Sequence, residues 1–339
     1  MAVTLKDIAD HSGVSMKTVS RVLNREPNVS EATRERVEES ATELGYRPNL
    51  AARSLATSRS FLLALVYGDV ATSYVLSLMQ GATRACHDKG YHLVVEPVSD
   101  AELDSPASVA RLTRRLNVDG IILTPPLSDD AALLASLQAL DMKVVRLSPR
   151  HKDGHYPLIA IDNRAAAQEI VEHLIALGHT RIGHIKGAEG HGASYHRLRG
   201  YTDALEAAGI TVNDELICAG AFTWESGRAG ARELMQRTPG PTAIFAANDD
   251  MAAGVLSWMS RNGRKVPGDI AIAGFDDTPL SRLVHPPLTT VGQDVEAMGA
   301  LAADIIMEAR PSVTHAGTSG PHEYSFSHTL IVRESTDPG

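Results

Sequence analysis

The sequence predicts an all-α N-terminal helix-turn-helix followed by a hinge helix, joined to a two-lobed α/β unit with two parallel sheets. Two patterns predict this architecture. Helix caps and apolar residues at helical spacing fill the first 46 residues, whereas short apolar strands alternate with amphipathic helices from residue 60 onward. A chain of 339 residues is long enough to bury two or three such cores.

The first segment begins with a helix signal. Thr4 is followed three residues later by Asp7, a capping-box pattern in which each side chain bonds the other residue's backbone N–H at a helix start. Ser12-Gly13 then breaks this helix, and Ser15 is placed to cap a second one. A tight glycine turn between two short helices predicts a helix-turn-helix.

A third helix completes the unit that we assign to residues 1–46. It is predicted to begin after the cap Ser30 and to stop at Gly45, with Val37 and Leu44 in its apolar stripe. Three short helices of this kind form a small bundle around one apolar core.

The second helix carries the side chains best suited to reading DNA. Met16, Lys17 and Arg21 lie where a recognition helix presents side chains to base edges in the major groove. Lys17 and Arg21 suit guanine O6 and N7, Met16 suits a thymine methyl, and the Ser and Thr hydroxyls suit phosphates. The alternative is a set of ordinary exposed residues on a helical bundle. The turn, caps and spacing together favour DNA recognition.

The segment 47–59 is predicted as a hinge helix or a linker. It is Ala-rich and opens near Pro48, but a helix of about ten residues is marginal without a partner. Leu55, flanked by Arg53 and Arg59, suits an apolar wedge in a minor groove. On residue content alone, a flexible linker whose leucine packs on the next domain is an open alternative.

Charge is unevenly distributed along the chain. The formal net charge is −9, from 32 Lys+Arg and 41 Asp+Glu. Residues 1–60 carry nine basic and eight acidic residues, and the rest of the chain carries 23 and 33. Acids crowd 31–43, whereas 44–68 contains three arginines and no acid. DNA contact is therefore expected from the start of the chain.

From residue 60 onward, strands and helices alternate, which predicts two parallel sheets in two lobes. We assign lobe 1 to about 60–160 and 294–320, and lobe 2 to about 161–291 and 321–333. The predicted strands are 61–67, 91–95, 120–123, 143–147, 158–161, 181–185, 242–247 and 270–275. The predicted helices are 73–89, 107–116, 130–140, 163–177, 197–208, 224–236 and 251–262.

Polar groups follow several predicted strands, where ligands of parallel sheets bind. Asn248 follows one strand, Asp276 follows another and Gln293 ends a third, while Arg197 and Trp224 lie at helix starts. Carboxylate, amide and guanidinium groups bond vicinal hydroxyls, and an indole covers the apolar face of a sugar ring. A sugar site is one interpretation. Helix caps, a surface ion pair and a core tryptophan are an equal alternative.

Other function classes lack their signatures. The sequence has no P-loop, no G-x-S-x-G elbow and no H-E-x-x-H motif. His151 and His155 lie in a predicted loop, and Cys86 and Cys218 stand alone, which argues against a metal site or a disulfide scaffold. We therefore predict no catalytic residues, no enzymatic activity, no metal and no cofactor.

The sequence also indicates a location. No apolar run approaches the roughly 18 residues of a membrane span, and the charged N-terminus lacks the apolar core of a signal peptide. We expect a soluble, cytoplasmic protein with no membrane partner.

Motifs along nearly the whole chain carry a family resemblance. In the first unit they are Leu5-Lys6-Asp7-Ile8-Ala9, Gly13-Val14-Ser15, Thr18-Val19-Ser20-Arg21-Val22-Leu23-Asn24, Val29-Ser30, Thr33-Arg34 and Leu44-Gly45-Tyr46-Arg47-Pro48-Asn49. Later they are Leu177-Gly178-His179-Thr180-Arg181-Ile182-Gly183, Arg197-Leu198-Arg199-Gly200-Tyr201, Ala247-Asn248-Asp249, Gly274-Phe275-Asp276-Asp277 and Pro287-Leu288-Thr289-Thr290-Val291. From about residue 4 to 333, the chain resembles the lac and galactose repressor (LacI/GalR) family of bacterial transcription regulators.

The resemblance implies how the first unit meets DNA. In that family the hinge becomes a helix on the operator and its leucine wedges into the minor groove, which favours the wedge over the linker for Leu55. The implied DNA contacts are Thr4, Ser15, Met16, Lys17, Thr18, Ser20, Arg21, Asn24, Asn28, Ser30, Asn49, Ala52 and Leu55.

The resemblance also implies a periplasmic-binding-protein-like domain for effector binding and dimerisation over 60–339. Arg197, Asn248 and Asp276 match polar effector contacts of family members, and Trp224 matches the residue that flanks the sugar in the lac repressor. The implied effector contacts are Arg197, Trp224, Asn248, Asp276, Gln293, Tyr67, Asp69 and Ser73.

The expected function is a homodimeric repressor of carbohydrate-utilisation genes. It would bind a pseudo-palindromic double-stranded operator and leave it when a mono- or disaccharide binds. A co-repressed regulator that responds to a purine or another metabolite is the main alternative, and a pure sugar-binding protein is another. Met16-Lys17 differs from the pair in the lac repressor, so the operator is not implied, and no heptad tail follows Arg333 to imply a tetramer.

Overall fold

A computed structural model describes residues 3–23, 29–46, 59–68, 71–99, 103, 105–152, 155–308, 317–320 and 323–337. The chain separates into two compact units, Met1–Ser60 and Phe61–Gly339. Each unit has a hydrophobic core of its own.

The described residues of the first unit form three helices around one small core. The helices are α1 (Leu5–Ser12), α2 (Met16–Leu23) and α3 (Glu31–Glu43). Ile8, Val19 and Val37 place one fully buried side chain from each helix in this core. Full burial of such a side chain stabilises a fold by roughly 1.5–3 kcal/mol, so these contacts hold the three helices together.

The first two helices begin as predicted. The Thr4 hydroxyl accepts a hydrogen bond from the Asp7 N–H at 3.4 Å, and the Asp7 carboxylate accepts one from the Thr4 N–H at 2.7 Å. Ser15 accepts a hydrogen bond from the Thr18 N–H at 3.2 Å at the start of α2. Both caps satisfy N–H groups that the helix itself leaves unpaired.

The third helix keeps its predicted end but not its predicted cap. The helix ends at Glu43, and Leu44 and Gly45 follow it. Gly45 has φ of 63°, a left-handed conformation that glycine adopts without strain. Ser30 precedes the helix, but its hydroxyl bonds the Thr33 hydroxyl at 2.8 Å instead of a backbone N–H. The two hydroxyls satisfy each other, so the expected capping bond is not formed.

The second unit alternates strands and helices, which confirms the predicted class. Its described helices are α4 (Thr72–Asp88), α5 (Pro106–Leu116), α6 (Ala131–Ala139), α7 (Asn163–Ala176), α8 (Gly192–Ala207), α9 (Trp224–Leu234), α10 (Asp249–Arg261), α11 (Pro279–Leu283) and α12 (Val295–Met307). Its described strands are β1 (Leu62–Tyr67), β2 (His92–Pro97), β3 (Gly120–Leu123), β4 (Val144–Leu147), β5 (Leu158–Ile161), β6 (Ile182–Ile185), β7 (Ile217–Cys218), β8 (Ala243–Ala246), β9 (Ala271–Ala273), β10 (Thr290–Gln293), β11 (Gly317–Gly320), β12 (Glu323–Phe326) and β13 (His328–Ile331). Within the described ranges, no helix has both the length and the apolar character to cross a bilayer.

Two of the three described sheets divide this unit into two lobes, and the third is the antiparallel pair β10-β13. The first lobe has strand order β11-β12-β5-β4-β3-β1-β2, with all pairs parallel except β11-β12. The second lobe has the parallel order β7-β6-β8-β9. Strands such as β3, β6 and β8 are buried along their whole length, because helices cover both faces of each sheet.

Three described segments pass between the lobes, and one of them corrects a predicted boundary. The chain crosses from β5 to α7, returns from β10 to α12, and crosses again from β12 to β13. We predicted 321–333 in lobe 2, but Glu323–Phe326 pairs with Leu158–Ile161 in the sheet of the first lobe. A nonlocal strand pairing decides this boundary, and periodicity along the sequence does not report such pairings.

Two first-lobe helices, α4 and α12, cross with their backbones in close contact. A Cβ atom on Gly81 of α4 would lie 1.8 Å from the Glu296 carbonyl oxygen, and one on Gly299 of α12 would lie 2.3 Å from the Leu78 carbonyl oxygen. Any side chain at either glycine would separate the helices, so this crossing fixes α4 against α12.

The second-lobe core contains a histidine that is fully buried. The His184 ring on β6 stacks between Tyr201 and Phe245, with centroid distances of 5.0 and 4.8 Å. Its Nδ1 lies 3.0 Å from the Phe245 carbonyl oxygen, so the proton is assigned to Nδ1 as the donor. Nε2 has no hydrogen-bond partner among the described residues. Burial lowers the His184 pKa to about 4.

This burial predicts a specific loss of stability in acid. The unfolded chain protonates His184 near pH 6.5, whereas the folded chain resists protonation down to about pH 4. The free energy of unfolding should therefore fall as the pH drops through this interval, by up to about 3 kcal/mol from this residue. His184→Asn keeps a donor near Nδ1 and does not titrate, so urea unfolding should show a shallower acid dependence. His92→Asn, at an exposed position, is the control, and identical slopes in all three proteins would contradict the prediction.

Candidate functional site

The first unit presents one basic helix face to solvent. Met16, Lys17 and Arg21 are exposed on α2, with Met16 at 55% exposure, whereas Val19 and Val22 are buried against the other two helices. Lys17 and Arg21 are four residues apart and therefore lie on the same side of the helix. A helix with this exposed face has the shape and charge that suit a major groove.

The polar residues around α2 have local partners. The Ser15 and Thr18 hydroxyls hydrogen-bond each other at 2.9 Å, and the Thr4 hydroxyl donates to the Asp7 carboxylate at 2.7 Å. Thr4 and Ser15 are exposed, and Thr18 and Ser20 are half-buried at the start and middle of α2. Five further predicted DNA contacts lie outside the described residues: Asn24, Asn28, Asn49, Ala52 and Leu55.

The second unit contains a small cavity between its lobes, with a volume of about 40 Å³. It lies beyond the carboxyl ends of the strands, where the two parallel sheets face each other. The first lobe contributes Ala71, Tyr74, Pro125 and Ser148; the second contributes His191, Ala193, Arg197, Phe222, Asn248 and Asp276; Gln293 comes from the β10 crossover.

Arg197 is the central group of this cavity. Its side chain is 5% exposed, and its guanidinium carbon lies 3.5 Å from the centroid of the Phe275 ring. Nε donates to Asn163 Oδ1 at 2.9 Å, Nη1 donates to the Ala247 carbonyl oxygen, and Nη2 donates to Asp276 Oδ1 at 3.3 Å. Two of its five N–H groups remain for a ligand.

Asp276 pairs with Arg197 and also holds the crossover strand. Gln293 Nε2 donates to Asp276 Oδ1 at 2.7 Å, to the same oxygen that accepts from Arg197. Burial raises the Asp276 pKa to about 6, and the nearby Arg197 charge opposes that rise. The carboxylate is therefore ionised at neutral pH, when the ion pair forms. Its backbone has φ of 108°, a conformation that is uncommon for a residue other than glycine.

Two neighbouring side chains fix this part of the second lobe. Asn248 caps α10 by accepting from the Met251 N–H at 3.0 Å, and its amide donates to the Phe222 carbonyl oxygen at 3.0 Å. Asp249 is fully buried and accepts hydrogen bonds from the Thr278 N–H at 2.8 Å and the Thr290 hydroxyl at 2.7 Å. Burial, with a smaller contribution from the Asp276 charge, raises the Asp249 pKa to about 8.

Direct contacts join the two lobes beside the cavity. The Ser73 hydroxyl on α4 donates to Asp250 Oδ2 on α10 at 2.5 Å. The Arg150 guanidinium lies 4.3 Å from the Tyr195 ring centroid, and the Arg150 carbonyl oxygen lies 3.2 Å from His196 Nε2. The lobes are therefore closed on each other around the small cavity.

A second, open cavity of about 480 Å³ adjoins the first. The two share Tyr74, Asp276 and Gln293 as a common wall. The other lining residues of the open cavity are Ser77, Asp277, Thr278, Pro279, Arg282, Gly292, Asp294, Val295, Glu296, Ser327, Thr329 and Ile331. Its volume is in the range of small-molecule sites, whereas the enclosed cavity holds only a few water molecules.

The structure brings four of the predicted effector residues together: Arg197, Asn248, Asp276 and Gln293. Ser73 lies next to the cavity as an interlobe contact, while Tyr67 and Trp224 are half-buried and do not line it. Asp69 lies outside the described residues.

Sequence reasoning missed several lining residues, including Tyr74, Ser148 and Phe222. Ser148 and Pro125 follow the ends of β4 and β3, so the strand-end rule could have found them. Phe222, with φ of 58°, carried no comparable signal. Among the described residues, no group of three or more His, Cys, Asp or Glu side chains is placed to hold a metal ion.

Sequence profiles match both units. The profile described as "Bacterial regulatory proteins, lacI family" matches residues 4–49. The profile described as "Periplasmic binding protein-like domain" matches residues 171–336. The two matched regions correspond to the helical unit and to much of the two-lobed unit.

Similar proteins align over nearly the full chain. The HTH-type transcriptional regulator GalR of Escherichia coli (strain K12) is 33% identical over 339 residues, covering 98% of this chain and 95% of GalR. CelR of Thermobifida fusca, also an HTH-type transcriptional regulator, is 34% identical over 348 residues, with 98% of each chain covered.

Two solved structures share this architecture. A complex of the transcriptional regulator CelR with cellobiose has a TM-score of 0.70 and 33% identity, covering 98% of this chain and 99% of that one. The lac repressor dimer bound to operator and the anti-inducer ONPF has a TM-score of 0.77 and 29% identity, with 99% of each chain covered.

The buried Asp249 predicts a pH dependence opposite to that of His184. Its pKa of about 8 keeps it protonated in the folded chain at neutral pH, whereas an unfolded aspartate ionises near pH 3.9. The stability that protonation contributes is complete below pH 3.9 and is lost as the pH rises through about 8. The Asp249→Asn variant does not titrate at this position. Its free energy of unfolding should therefore rise relative to that of the wild type over this pH interval, by on the order of a few kcal/mol. Urea unfolding against pH measures this difference, with Asp141→Asn at an exposed site as control; parallel curves for wild type and Asp249→Asn would exclude the shift.

Proposed function

The chain belongs to the lacI family of bacterial regulatory proteins, and we propose that it binds operator DNA through its first unit and a small sugar through its second. The relatives at 33% and 34% identity are HTH-type transcriptional regulators, and the similarity covers almost all of the chain. The chain is therefore a DNA-binding transcription regulator that responds to a ligand. The observation that carries the effector proposal is the buried Arg197–Asp276–Gln293 network between the lobes.

The DNA proposal rests on the exposed face of α2. Lys17 and Arg21 project from the helix that follows the Ser15 cap, and Met16 adds an exposed apolar group beside them. Arginine and lysine bond guanine O6 and N7, and a methionine side chain packs on a thymine methyl. These three residues are assigned to base recognition, and the Thr4, Ser15, Thr18, Ser20 and Ser30 hydroxyls to phosphates.

The effector proposal rests on the groups that line the cleft. Guanidinium, carboxylate and two carboxamides supply paired donors and acceptors for hydroxyls, and Tyr74 and Phe222 supply apolar faces for a ring. Tyr74, Asp276 and Gln293 border both cavities, so we place the sugar against this shared wall. Because the enclosed space is only about 40 Å³, the lobes have to separate before a sugar reaches Arg197 and Asn248.

The need for the lobes to separate links sugar binding to DNA binding. A ligand that favours one lobe arrangement over another shifts the population of arrangements and thereby changes DNA affinity by linkage. We propose a homodimer on a pseudo-palindromic operator, in which the Leu55 side chains wedge the minor groove. We also propose a cytoplasmic location and no enzymatic activity.

The recognition-helix assignment predicts a loss of specificity. The operator is first selected from a random duplex library with the wild-type chain. Lys17→Ala and Arg21→Ala should each weaken that operator by roughly 1–3 kcal/mol and relax base preference at defined positions, because each removes a base contact. Arg36→Ala, at an exposed position on α3, is the charge-matched control. Fluorescence anisotropy measures all four proteins, and an equal loss on operator and random DNA would refute base reading by α2.

The effector assignment predicts a regulator that no longer responds. Asp276→Asn keeps the shape of the side chain and an acceptor for Gln293, but it leaves the Arg197 charge without its partner and should lower the stability of the two-lobed unit. Because the DNA-binding helices lie in a separate compact unit, the folded variant should still bind operator. It should need at least about tenfold more sugar for release, because the ligand loses a charged acceptor. The assay titrates sugars from a panel into the operator complex, with Asp141→Asn as control. Normal release by Asp276→Asn would move the effector site elsewhere.

A further inference from the structure

We propose that Met16 is a site of reversible oxidation, and that conversion of its thioether to a sulfoxide by a hydroperoxide weakens operator binding. This inference rests on the proposed DNA-binding function and adds a response that does not use the cleft between the lobes. It is carried by the exposure of this methionine and by its place on α2.

Met16 differs from the other described methionines in its exposure. It is 55% exposed, whereas Met251, Met259 and Met298 are fully buried. The others are half-buried and belong to the second unit: Met79, Met142, Met235 and Met307. A thioether is oxidised only when the oxidant reaches its sulfur, so a dissolved peroxide reaches Met16 most easily among the methionines that the structure describes.

The two cysteines compete poorly for the oxidant. Cys86 and Cys218 are both buried. Burial raises the pKa of each thiol to about 12, so almost none of the thiolate that reacts with a peroxide is present at neutral pH. Limited peroxide treatment should therefore modify Met16 first among the described sulfur-containing residues.

Met16 is the first residue of the helix that we assign to base recognition. Ser15 precedes it and caps α2 by accepting from the Thr18 N–H at 3.2 Å. Val19 and Val22 bury the other side of α2 in the core of the first unit. The cap and this core hold the helix in place without the exposed Met16 side chain. A change at the sulfur therefore acts on what α2 contacts and leaves the fold of the unit intact.

Oxidation reverses the polarity that this contact needs. The sulfur attacks one peroxide oxygen, the S–O bond forms as the O–O bond breaks, and hydrogen peroxide leaves as water after the sulfur has lost two electrons. A methionine sulfoxide reductase reverses the step. In the assigned contact the thioether packs on a thymine methyl, whereas the sulfoxide would bury a strong hydrogen-bond acceptor there without a donor.

The expected loss is confined to specific binding. Operator affinity should fall about tenfold on oxidation, the range of a lost base contact. The charges of Lys17 and Arg21 are unchanged by the reaction, so affinity for random duplex DNA, which depends on phosphate contacts, should change by less than about twofold.

The first experiment measures the full chain before and after limited treatment with hydrogen peroxide. Peptide mass spectrometry gives the oxidised fraction at each methionine, and fluorescence anisotropy gives the affinity for the operator selected with the wild-type chain. The oxidised wild type should bind that operator more weakly, and methionine sulfoxide reductase with a dithiol reductant should restore the affinity. Unchanged operator affinity in a sample fully oxidised at Met16 would overturn the proposal.

Matched variants assign the effect to one residue. Met16→Leu keeps an apolar side chain of similar volume without a sulfur, so it should bind operator within about threefold of the wild type and resist peroxide. Met235→Leu, at a half-buried position in the second unit, is the control and should stay sensitive. An equal peroxide effect in the wild type and in Met16→Leu would place the sensitive group elsewhere and refute the assignment.

Deoxyuridine tests the contact itself, because it differs from thymidine only in lacking the C5 methyl. Each thymine of the selected operator is replaced in turn. At the contacted thymine the replacement should weaken binding by the reduced wild type and cause no further loss in the oxidised protein, since both changes remove the same contact. Losses that add at every thymine would contradict oxidation acting through this contact.

Two outcomes separate this inference from the proposed function. If Lys17→Ala and Arg21→Ala weaken operator binding while oxidation of Met16 does not, the inference fails and base recognition by α2 stands. A chain that selects no operator from the random duplex library would overturn the proposed DNA-binding function and, with it, this inference.

Discussion

The buried ion pair between Arg197 and Asp276 is the interaction on which the cleft depends. Both side chains are about 95% buried, so neither charge is stabilised by bulk water and each requires the other. Removing one partner of such a pair typically costs about 3–5 kcal/mol, because the remaining charge stays buried without compensation. Asp276 Oδ1 also accepts from Gln293 of the β10 crossover. This one oxygen atom therefore links the second-lobe side of the cavity to the strand that connects the lobes. A ligand hydroxyl that competes for Asp276 Oδ1 would weaken both of these hydrogen bonds.

The crossover continues directly into rigid packing of the first lobe. Gln293 is followed by Asp294, whose carboxylate accepts from the Ala297 N–H at 2.9 Å and caps α12. Helix α12 crosses α4 at Gly81 and Gly299 with the backbones in contact, which leaves little freedom for independent movement. The N-terminal turn of α4 carries Ser73 and Tyr74 back to the cleft. The crossover strand, α12 and α4 therefore form one packed path that contacts the cleft at Gln293 and again at Ser73 and Tyr74.

Local patterns predicted the fold class and the polar centre of the site, because both follow from short-range rules. Asn248 and Asp276 follow buried strands, and the carboxyl ends of parallel strands meet at one edge. Helix α12 escaped prediction because it is apolar on most faces, packed between α4 and the first sheet, and so lacks amphipathic periodicity. The Glu323–Phe326 pairing and the approach of Tyr74 and Ser148 from the other lobe are set by long-range packing, which no local pattern contains.

The acidic total charge of the chain does not describe its first unit, because the effect of a charge on DNA binding depends on where that charge lies. Helix α2 carries Lys17 and Arg21 with no acid, whereas five of the 13 residues of α3 are glutamates. Arg34 of α3 donates to the Val22 carbonyl oxygen at 3.3 Å, placing a cation at the C-terminal end of α2. The unit is therefore close to neutral overall, but its charges are unevenly divided between α2 and α3. We expect DNA phosphates to attract the α2 face and to repel the α3 glutamates, which would orient α2 toward the groove.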